Sequence, residues 1–191
     1  MARKGPRSEE KRTEILRRAA AVFRTKGFHG AGMREIAGAV GMTPGALYYY
    51  FESKDDLLHG CQTLTLRRLI QSAGRVSGTP EQRFRALIQA HLDHSLGELG
   101  GSLAHVEFHA LPAEKLAEVV AQRDRYEHAW RGIIEEGMEI GEFHAADAKL
   151  ATLTVLGALN WAAVWWRPDG DRNLKELATA MADTLLGGLK R

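Results

Sequence analysis

Apolar residues recur at three- and four-residue intervals along nearly the whole chain, so the pattern predicts helices throughout. Ile15, Leu16, Ala19, Ala20 and Phe23 mark one face of a first helix, capped by Ser8 and running to about Lys26; Gly27-Phe28-His29-Gly30 ends it. Met33, Ile36, Ala37 and Val40 mark a second, and Gly41 follows where a left-handed C-terminal cap is usually glycine. Thr43-Pro44 opens a third, with threonine as N-cap and proline at the first helical position, where its missing N–H costs nothing. Leu47 and Phe51, four apart, anchor that helix to a core. Only about three residues separate the second and third helices, so they cross steeply, as in a helix-turn-helix.

Ser53 caps a fourth helix reaching about Ser72. After a break over Gly74–Gly78, Thr79-Pro80-Glu81-Gln82 starts another with a capping-box pattern; Phe84, Leu87, Ile88, His91 and Leu92 share its face. Gly97–Gly101 is a hinge, a short helix runs to about Ala110, and Leu111-Pro112 breaks it. A long helix spans Leu116–Ile140, a very apolar one Leu150–Trp166, and a last one about Asn173–Leu186. No strand candidate, internal repeat or low-complexity tract appears in the sequence. The fold class is all-α with about nine helices: a three-helix helix-turn-helix head over residues 1–53 and a second helical domain over 54–191.

Charge sharpens this division. Residues 1–54 hold eleven Lys or Arg against five Asp or Glu, a net of +6; the remaining chain holds fifteen against nineteen, a net of −4. The basic end is the helix-turn-helix end, as nucleic-acid binding requires. Arg3, Lys4 and Arg7 form a basic arm that either reaches phosphates or a minor groove or has no role. Thr43, Pro44, Gly45 and Ala46 are small enough to approach base edges. Tyr48, Tyr49 and Tyr50 cannot all face inward on one helix: each either packs or offers its hydroxyl to phosphate and its ring to a thymine methyl. Arg34, in the first turn of the second helix, suits a guanine edge or a phosphate. Lys54 sits in a first helical turn, where the dipole favours acids, and a phosphate nearby would account for it.

The run from Gly41 to Leu57 (GMTPGALYYYFESKDDL), with Ala20, Phe23, Lys26-Gly27-Phe28 and Met33-Arg34-Glu35-Ile36-Ala37 upstream, resembles the DNA-binding signature of the TetR (tetracycline-repressor-like) family. The resemblance covers roughly residues 10 to 60, and the chain length fits as well. Ala31-Gly32 departs from it, standing where the family usually has hydroxyl residues that cap the second helix and touch the DNA backbone. The resemblance implies a transcriptional regulator, most simply a repressor that leaves a palindromic double-stranded operator when a small hydrophobic effector binds. It also implies a homodimer formed through the last two helices. One short recognition helix reads too few base pairs alone, and two heads about 34 Å apart would read a palindrome.

The effector is expected among the central helices, where Phe108, His109, Arg123, Tyr126, Trp130, Asn160, Trp161, Trp165 and Trp166 mix aromatic and polar groups on faces otherwise apolar. The stretch Leu159-Asn160-Trp161, Trp165 to Gly170 and Arg123-Asp124-Arg125-Tyr126 resembles regulators of lipid, sterol-fragment and aromatic-acid catabolism, several of which respond to acyl-CoA. That resemblance makes Arg123, Arg125 and Arg167 candidates for the CoA phosphates and the tryptophans an acyl channel. Some relatives also carry an arginine within the tryptophan helix, where this chain has Ala162, Ala163 and Val164.

Leu150–Trp166 is 17 residues long, at the bottom of the roughly 17–25 needed to span a membrane, and is read as a helix buried between others. Gly157, Ala158, Ala162 and Ala163, with Ala178 and Ala182 of the last helix, predict close packing of the final two helices as a pair. Cys61 is the single cysteine and, in step with Leu57, Leu58 and Leu64, reads as a buried structural thiol. The basic N-terminus lacks an apolar segment behind it, so a cytoplasmic protein is expected. Two alternatives remain open. His91 with His94, and His105 with His109, have spacings that a metal-sensing regulator could use, and a multidrug sensor has the same fold. A helical enzyme with a DNA-binding head is the other, but no nucleophile elbow, phosphate loop or dinucleotide fingerprint appears in the sequence, and neither a cofactor nor a metal site is assigned.

Overall fold

The computed structural model describes residues 6–97 and 108–190. Eight α-helices account for most of them: α1 Pro6–Gly30, α2 Met33–Val40, α3 Pro44–Tyr50, α4 Lys54–Ala73, α5 Pro80–Leu96, α6 Ala113–Glu139, α7 Ala148–Trp165 and α8 Leu174–Gly187. A 3-10 turn, Phe108–Ala110, stands where the sequence predicts a short helix; the rest of that segment, His105 included, lies outside the described residues, as do Arg3 and Lys4. The all-helical reading holds. The chain divides into two compact units, Met1–Thr65 with Leu99–Val120, and Leu66–Glu98 with Ala121–Arg191. Helices α4 and α6 contribute residues to both.

In the first unit, Ile15, Ala19, Phe23, Ile36, Ala37, Leu47, Phe51, Leu57 and Leu58 are all fully enclosed, so α1 to α4 share one core. Gly27 (φ 70°, ψ 165°) breaks α1 near its predicted end, and only a short turn continues beyond it. Gly41 (φ 71°) adopts the left-handed conformation that closes α2; the N–H of Met42 reaches back to Ala37 at 2.9 Å. Thr43 then caps α3, its hydroxyl accepting from the Ala46 N–H at 3.2 Å. Cys61 is buried and its thiol donates to the Leu16 carbonyl at 3.3 Å; burial pushes its pKa up to about 12, so it behaves as the structural thiol expected.

The second unit is built around α5. Phe84, Leu87, Ile88 and Leu92 pack with Tyr126, Trp130, Ile134, Phe143, Val155, Leu159, Leu177 and Leu186 in one core. Thr79 and Asn173 form complete capping boxes with Gln82 and Glu176, which fixes where α5 and α8 begin. The close backbone approaches are α5 with α8 and α5 with α7. Ala162 of α7 and Ala178 and Ala182 of α8 are buried in the same core, to which both helices contribute.

One correction concerns α7 itself. Its composition predicts burial on all sides, yet only Thr152, Val155, Leu159 and Ala162 are buried, while Leu150, Leu153, Trp161, Val164 and Trp165 are exposed. This is the one helix among the described residues that is long and apolar enough, by length and composition, to cross a membrane.

Tight packing at one glycine gives a stability test. A methyl group added at Gly137 would fall within 2.6 Å of Cε2 and 2.8 Å of Cγ of the fully buried Phe143 ring. The same turn is tied by Glu142 and Phe143 N–H groups donating to the Gly137 carbonyl. Gly137→Ala is expected to lower stability to denaturant by roughly 1–3 kcal/mol, the usual cost of overpacking; an unchanged midpoint would contradict this packing.

Candidate functional site

The reading head is assembled by side chains that close the ends of its helices. An α-helix leaves its last carbonyls without partners, and basic groups near that end are favourable. The Arg12 guanidinium donates to the Tyr50 carbonyl at the end of α3 (2.5 Å) and stacks 4.0 Å from the Phe51 ring centroid. Arg18 donates to the Ala39 carbonyl in α2 at 3.2 Å. Lys54 donates to the Phe28 carbonyl at 2.7 Å, with its ammonium 4.4 Å from the Phe28 ring centre. Lys26 pairs with Glu35 between α1 and α2. Much of the positive charge in this end of the chain therefore holds the helices in place. Lys54 also has an internal reason for its position, because it closes the C-terminal end of α1.

What remains outward is compact. Thr43, Pro44, Gly45 and Ala46 line the start of α3, with Pro44, Gly45 and Ala46 exposed and Thr43 on the turn before them. Tyr48 is exposed and Tyr49 is 74% exposed, whereas Tyr50 is half-buried, its ring edge-on to Tyr49 at 5.3 Å between centroids. Arg34 stands exposed in the first turn of α2. Gly32 caps α2 without any side-chain bond. Behind this surface, the Ser53 hydroxyl accepts from the Asp56 N–H at 3.1 Å, and Asp56 pairs with Lys115 at 2.6 Å. Partial burial pushes the Asp56 carboxyl up, but the bonds it accepts from Lys115 and from the Ser53 hydroxyl (2.9 Å) together outweigh that and hold its pKa below the usual value. His59 lies 3.0 Å from Glu118 in the same unit. Sequence reasoning missed Arg12, Arg18 and Lys115, because a long-range bond to a backbone carbonyl or a carboxylate leaves no local pattern.

The residues expected to gather around an effector do not form one group within a unit. Phe108 and His109 belong to the first unit, in the 3-10 turn, with ring centroids 3.9 Å apart. Arg123, Tyr126, Trp130, Asn160, Trp161 and Trp165 belong to the second. There Trp161 (64% exposed) and Trp165 face outward from α7, away from the core that holds Tyr126 and Trp130. Arg125 is exposed, and Arg167 donates to the Val164 and Trp166 carbonyls at 3.0 Å, closing the end of α7. Arg123 is half-buried, and burial draws its guanidinium below the ordinary range with Asp124 opposing.

The polar groups that do converge are His91, Tyr126, Trp130 and Asn160, from α5, α6 and α7. His91 Nδ1 and the Tyr126 hydroxyl are 3.2 Å apart, and the two rings stack at 5.9 Å. Burial lowers the His91 pKa from 6.5 to about 4, with the Asn160 side chain partly opposing, so the imidazole is neutral near pH 7. Burial likewise raises the Tyr126 phenol well above its usual value. The sequence presents His91 as a core or metal-spaced residue, outside the expected effector group. The neighbouring His94 contacts Ser72 at 3.0 Å. Among the described residues no three His, Cys, Asp or Glu side chains are grouped to hold a metal.

Comparison with known proteins bears on both units. Residues 15–61 match the family model described as bacterial regulatory proteins, tetR family, and residues 77–189 match the tetracyclin repressor-like C-terminal domain. The HTH-type transcriptional repressor KstR2 of Rhodococcus jostii (strain RHA1) is 28% identical over 94% of this chain and 91% of its own length. The TetR family transcriptional regulator PfmR from Thermus thermophilus is 32% identical, covers 93% of this chain and 99% of its own, and superposes with a TM-score of 0.82. AibR, crystallised with isovaleryl coenzyme A and operator DNA, is 22% identical over 94% of this chain and 97% of its own, with a TM-score of 0.75, and shares the fold.

Two tests follow from this geometry. Gly45 lies in α3 with no positive φ, and a Cβ there would meet nothing within 4 Å. Gly45→Ala is expected to raise thermal stability, by up to about 1 kcal/mol, while weakening DNA binding; tighter binding would remove Gly45 from the interface. The second test is acid sensitivity. As pH falls below 6.5 the unfolded chain protonates His91, whereas the folded chain resists until about 4. The stability of the neutral, buried ring is thus complete above 6.5 and lost as pH falls through about 4, on the order of 3 kcal/mol in all. Denaturant melts from pH 7 to about 4.5 should show that slope, and His91→Gln should flatten it.

Proposed function

The chain belongs to the tetR family of bacterial regulatory proteins and is a helix-turn-helix transcriptional regulator; from that premise we infer that it is a homodimeric repressor, released from a palindromic operator by an acyl-CoA or related hydrophobic effector. Residues 1–53 read the DNA, and residues 54–191 hold the effector and the dimer surface. The observation that carries the DNA part is the exposed edge of α3. Small residues (Thr43 to Ala46) and two outward tyrosines stand on it, beside Arg34, over a head locked from behind. Tyr48 and Tyr49 are placed to offer hydroxyls to phosphates or rings to thymine methyls, and Arg34 to bind a guanine or a phosphate. A regulator of the chromosome works in the cytoplasm.

The dimer reading rests on α7. Leu150, Leu153, Trp161 and Val164 lie at helical spacing on its exposed face, and α8 shows no large exposed apolar side chain. A contiguous apolar stripe of this kind is ordinarily covered, and a second copy of α7 across a two-fold axis covers it with no new element. The effector reading is supported by AibR, whose structure holds isovaleryl coenzyme A together with operator DNA. Helices α4 and α6 supply residues to both units, so they are the continuous elements through which an effector would bias the spacing of two heads.

The test begins with selection of duplexes from a random pool by the purified protein. Recovered sequences should be palindromes whose half-sites lie about one helical turn apart or a multiple of it. Isovaleryl-, octanoyl- and phenylacetyl-CoA are then added to the complex, and at least one should release the DNA. Absence of any enriched palindrome would sink the regulator reading. Enrichment with no release by any thioester would discard the effector class alone.

A further inference from the structure

A helix lying in a major groove can name a base pair in two ways. It can make hydrogen bonds to a base edge, best in pairs from one side chain, or it can pack apolar atoms on the C5 methyl of thymine. The paired bonds come from Arg or Lys to guanine, Asn or Gln to adenine, and Asp or Glu to cytosine. Helix α3, PGALYYY, carries none of these residue types. Between Ala31 and Ser53 the charged side chains are Arg34, Glu35 and Glu52, and Lys, Asn, Gln, Asp and His do not occur. Glu35 is taken up by Lys26, and Glu52 lies beyond the end of α3. The Thr43 hydroxyl already accepts the Ala46 N–H as a cap. What α3 turns outward is mostly carbon. Gly45 and Tyr49, four apart, stand opposite the buried Leu47, with exposed Ala46 on one flank and exposed Tyr48 on the other. The Tyr49 ring is braced, meeting Tyr50 edge to face at 5.3 Å, and the Tyr50 carbonyl is held by Arg12.

We propose that α3 discriminates its operator through thymine C5 methyls, packed against Ala46 and the rings of Tyr48 and Tyr49, and makes no paired hydrogen bond to a base. The proposal rests on the reading of the exposed α3 edge as the DNA surface, and it adds which chemical group of the DNA that edge reads. Cytosine and uracil in the same place lack the methyl, so the contact separates thymine from both. The methyl enters the major groove from one strand only, so T·A and A·T are told apart as well. Tyr49 is 74% exposed in the single chain, so its ring has most of its surface to bury against such a group. The tyrosine hydroxyls are left for phosphates, which fix register without carrying sequence. Exposed Arg34 on α2 then supplies any contact to guanine on this edge.

The experiment uses the full-length protein and the operator recovered by selection. Thymines of the half-sites are replaced by deoxyuridine in symmetric pairs, which removes two methyls and keeps every hydrogen-bonding group. Dissociation constants are measured at one salt concentration. At least one pair should weaken binding about fifteenfold, from about fourfold for each buried methyl, while pairs in the flanking sequence should cost less than about twofold. Tyr48→Phe and Tyr49→Phe, which keep the rings, should retain that penalty. At least one of Ala46→Gly, Tyr48→Ala and Tyr49→Ala should cut it to about fourfold or less. Half-sites without thymine, or deoxyuridine pairs that all stay within about twofold, overturn the proposal on the wild-type protein alone and leave the regulator reading standing. A penalty undiminished in all three truncated variants, each shown by melting to be folded, also overturns it, because the methyls are then read from another element. Absence of any enriched operator overturns both readings.

Discussion

The constraint on which the first unit depends is the set of carbonyls left without partners at helix ends. Three of its helices are closed by a cation that arrives from elsewhere in the chain: Arg12 at Tyr50, Arg18 at Ala39 and Lys54 at Phe28. Each bond removes a cost of leaving backbone groups unpaired and simultaneously fixes one helix against another. A seven-residue helix such as α3 has little stability of its own, since isolated helices shorter than about 12 residues are marginal. Held at Thr43 by its own cap, at Tyr50 by Arg12 and underneath by Leu47, it is positioned by its surroundings at both ends. That is what a recognition element needs, because a displacement of about one ångström separates a formed hydrogen bond from a missing one.

The second unit solves the opposite problem. Its core is apolar and closely packed, with Gly137 pressed against Phe143 and Phe84 edge-on to Trp130, yet it retains a polar centre in which His91 meets Tyr126 and Asn160. A protein selected for stability alone would replace His91 and Asn160 with aliphatic residues, since a buried imidazole held near pKa 4 costs stability whenever the solvent is acidic. The outward face of α7 likewise departs from what a lone chain would favour, because tryptophan at 64% exposure gains little from burial. That apolar face is a surface the single chain leaves uncovered.

Helix positions were legible because their signals are local. Thr79 with Gln82, Thr43 with Pro44, and Gly41 after Val40 each act within four residues, and the structure reproduces those boundaries. The buried faces of α1, α2 and α5 also followed from periodicity, as did the buried Cys61. Where sequence and structure part, the deciding partner is distant. Composition makes α7 look buried on all sides, but burial depends on how many neighbours arrive, and in this chain only one face receives them. Lys54 and Arg167, expected near phosphates from helix position and from resemblance respectively, each also bond a helix-terminal carbonyl, which no local pattern announces. Tryptophan content draws attention to Trp161 and Trp165, while the converging group includes His91, whose partner Tyr126 is 35 positions away. Spacing along one helix cannot report a bond between two.

Glycines sharpen the same distinction. Gly41 is required by its left-handed backbone and Gly137 by the ring against it, so the fold explains both. Gly45 and Gly157 are different. Both are helical, neither has a positive φ, and a side chain at either would meet no atom of this chain within 4 Å. Within a helix, glycine is less stable than alanine by up to about 1 kcal/mol, and the single chain returns nothing for it. One of these positions lies on the exposed edge of α3 and the other in the middle of the apolar stripe on α7, between Leu153 and Trp161. The same space is free at Gly38, Gly132 and Gly187, so room for a side chain does not by itself mark a contact. What sets Gly45 and Gly157 apart is where they lie, and the proposed reading brings the double helix to the first and a second copy of α7 to the other.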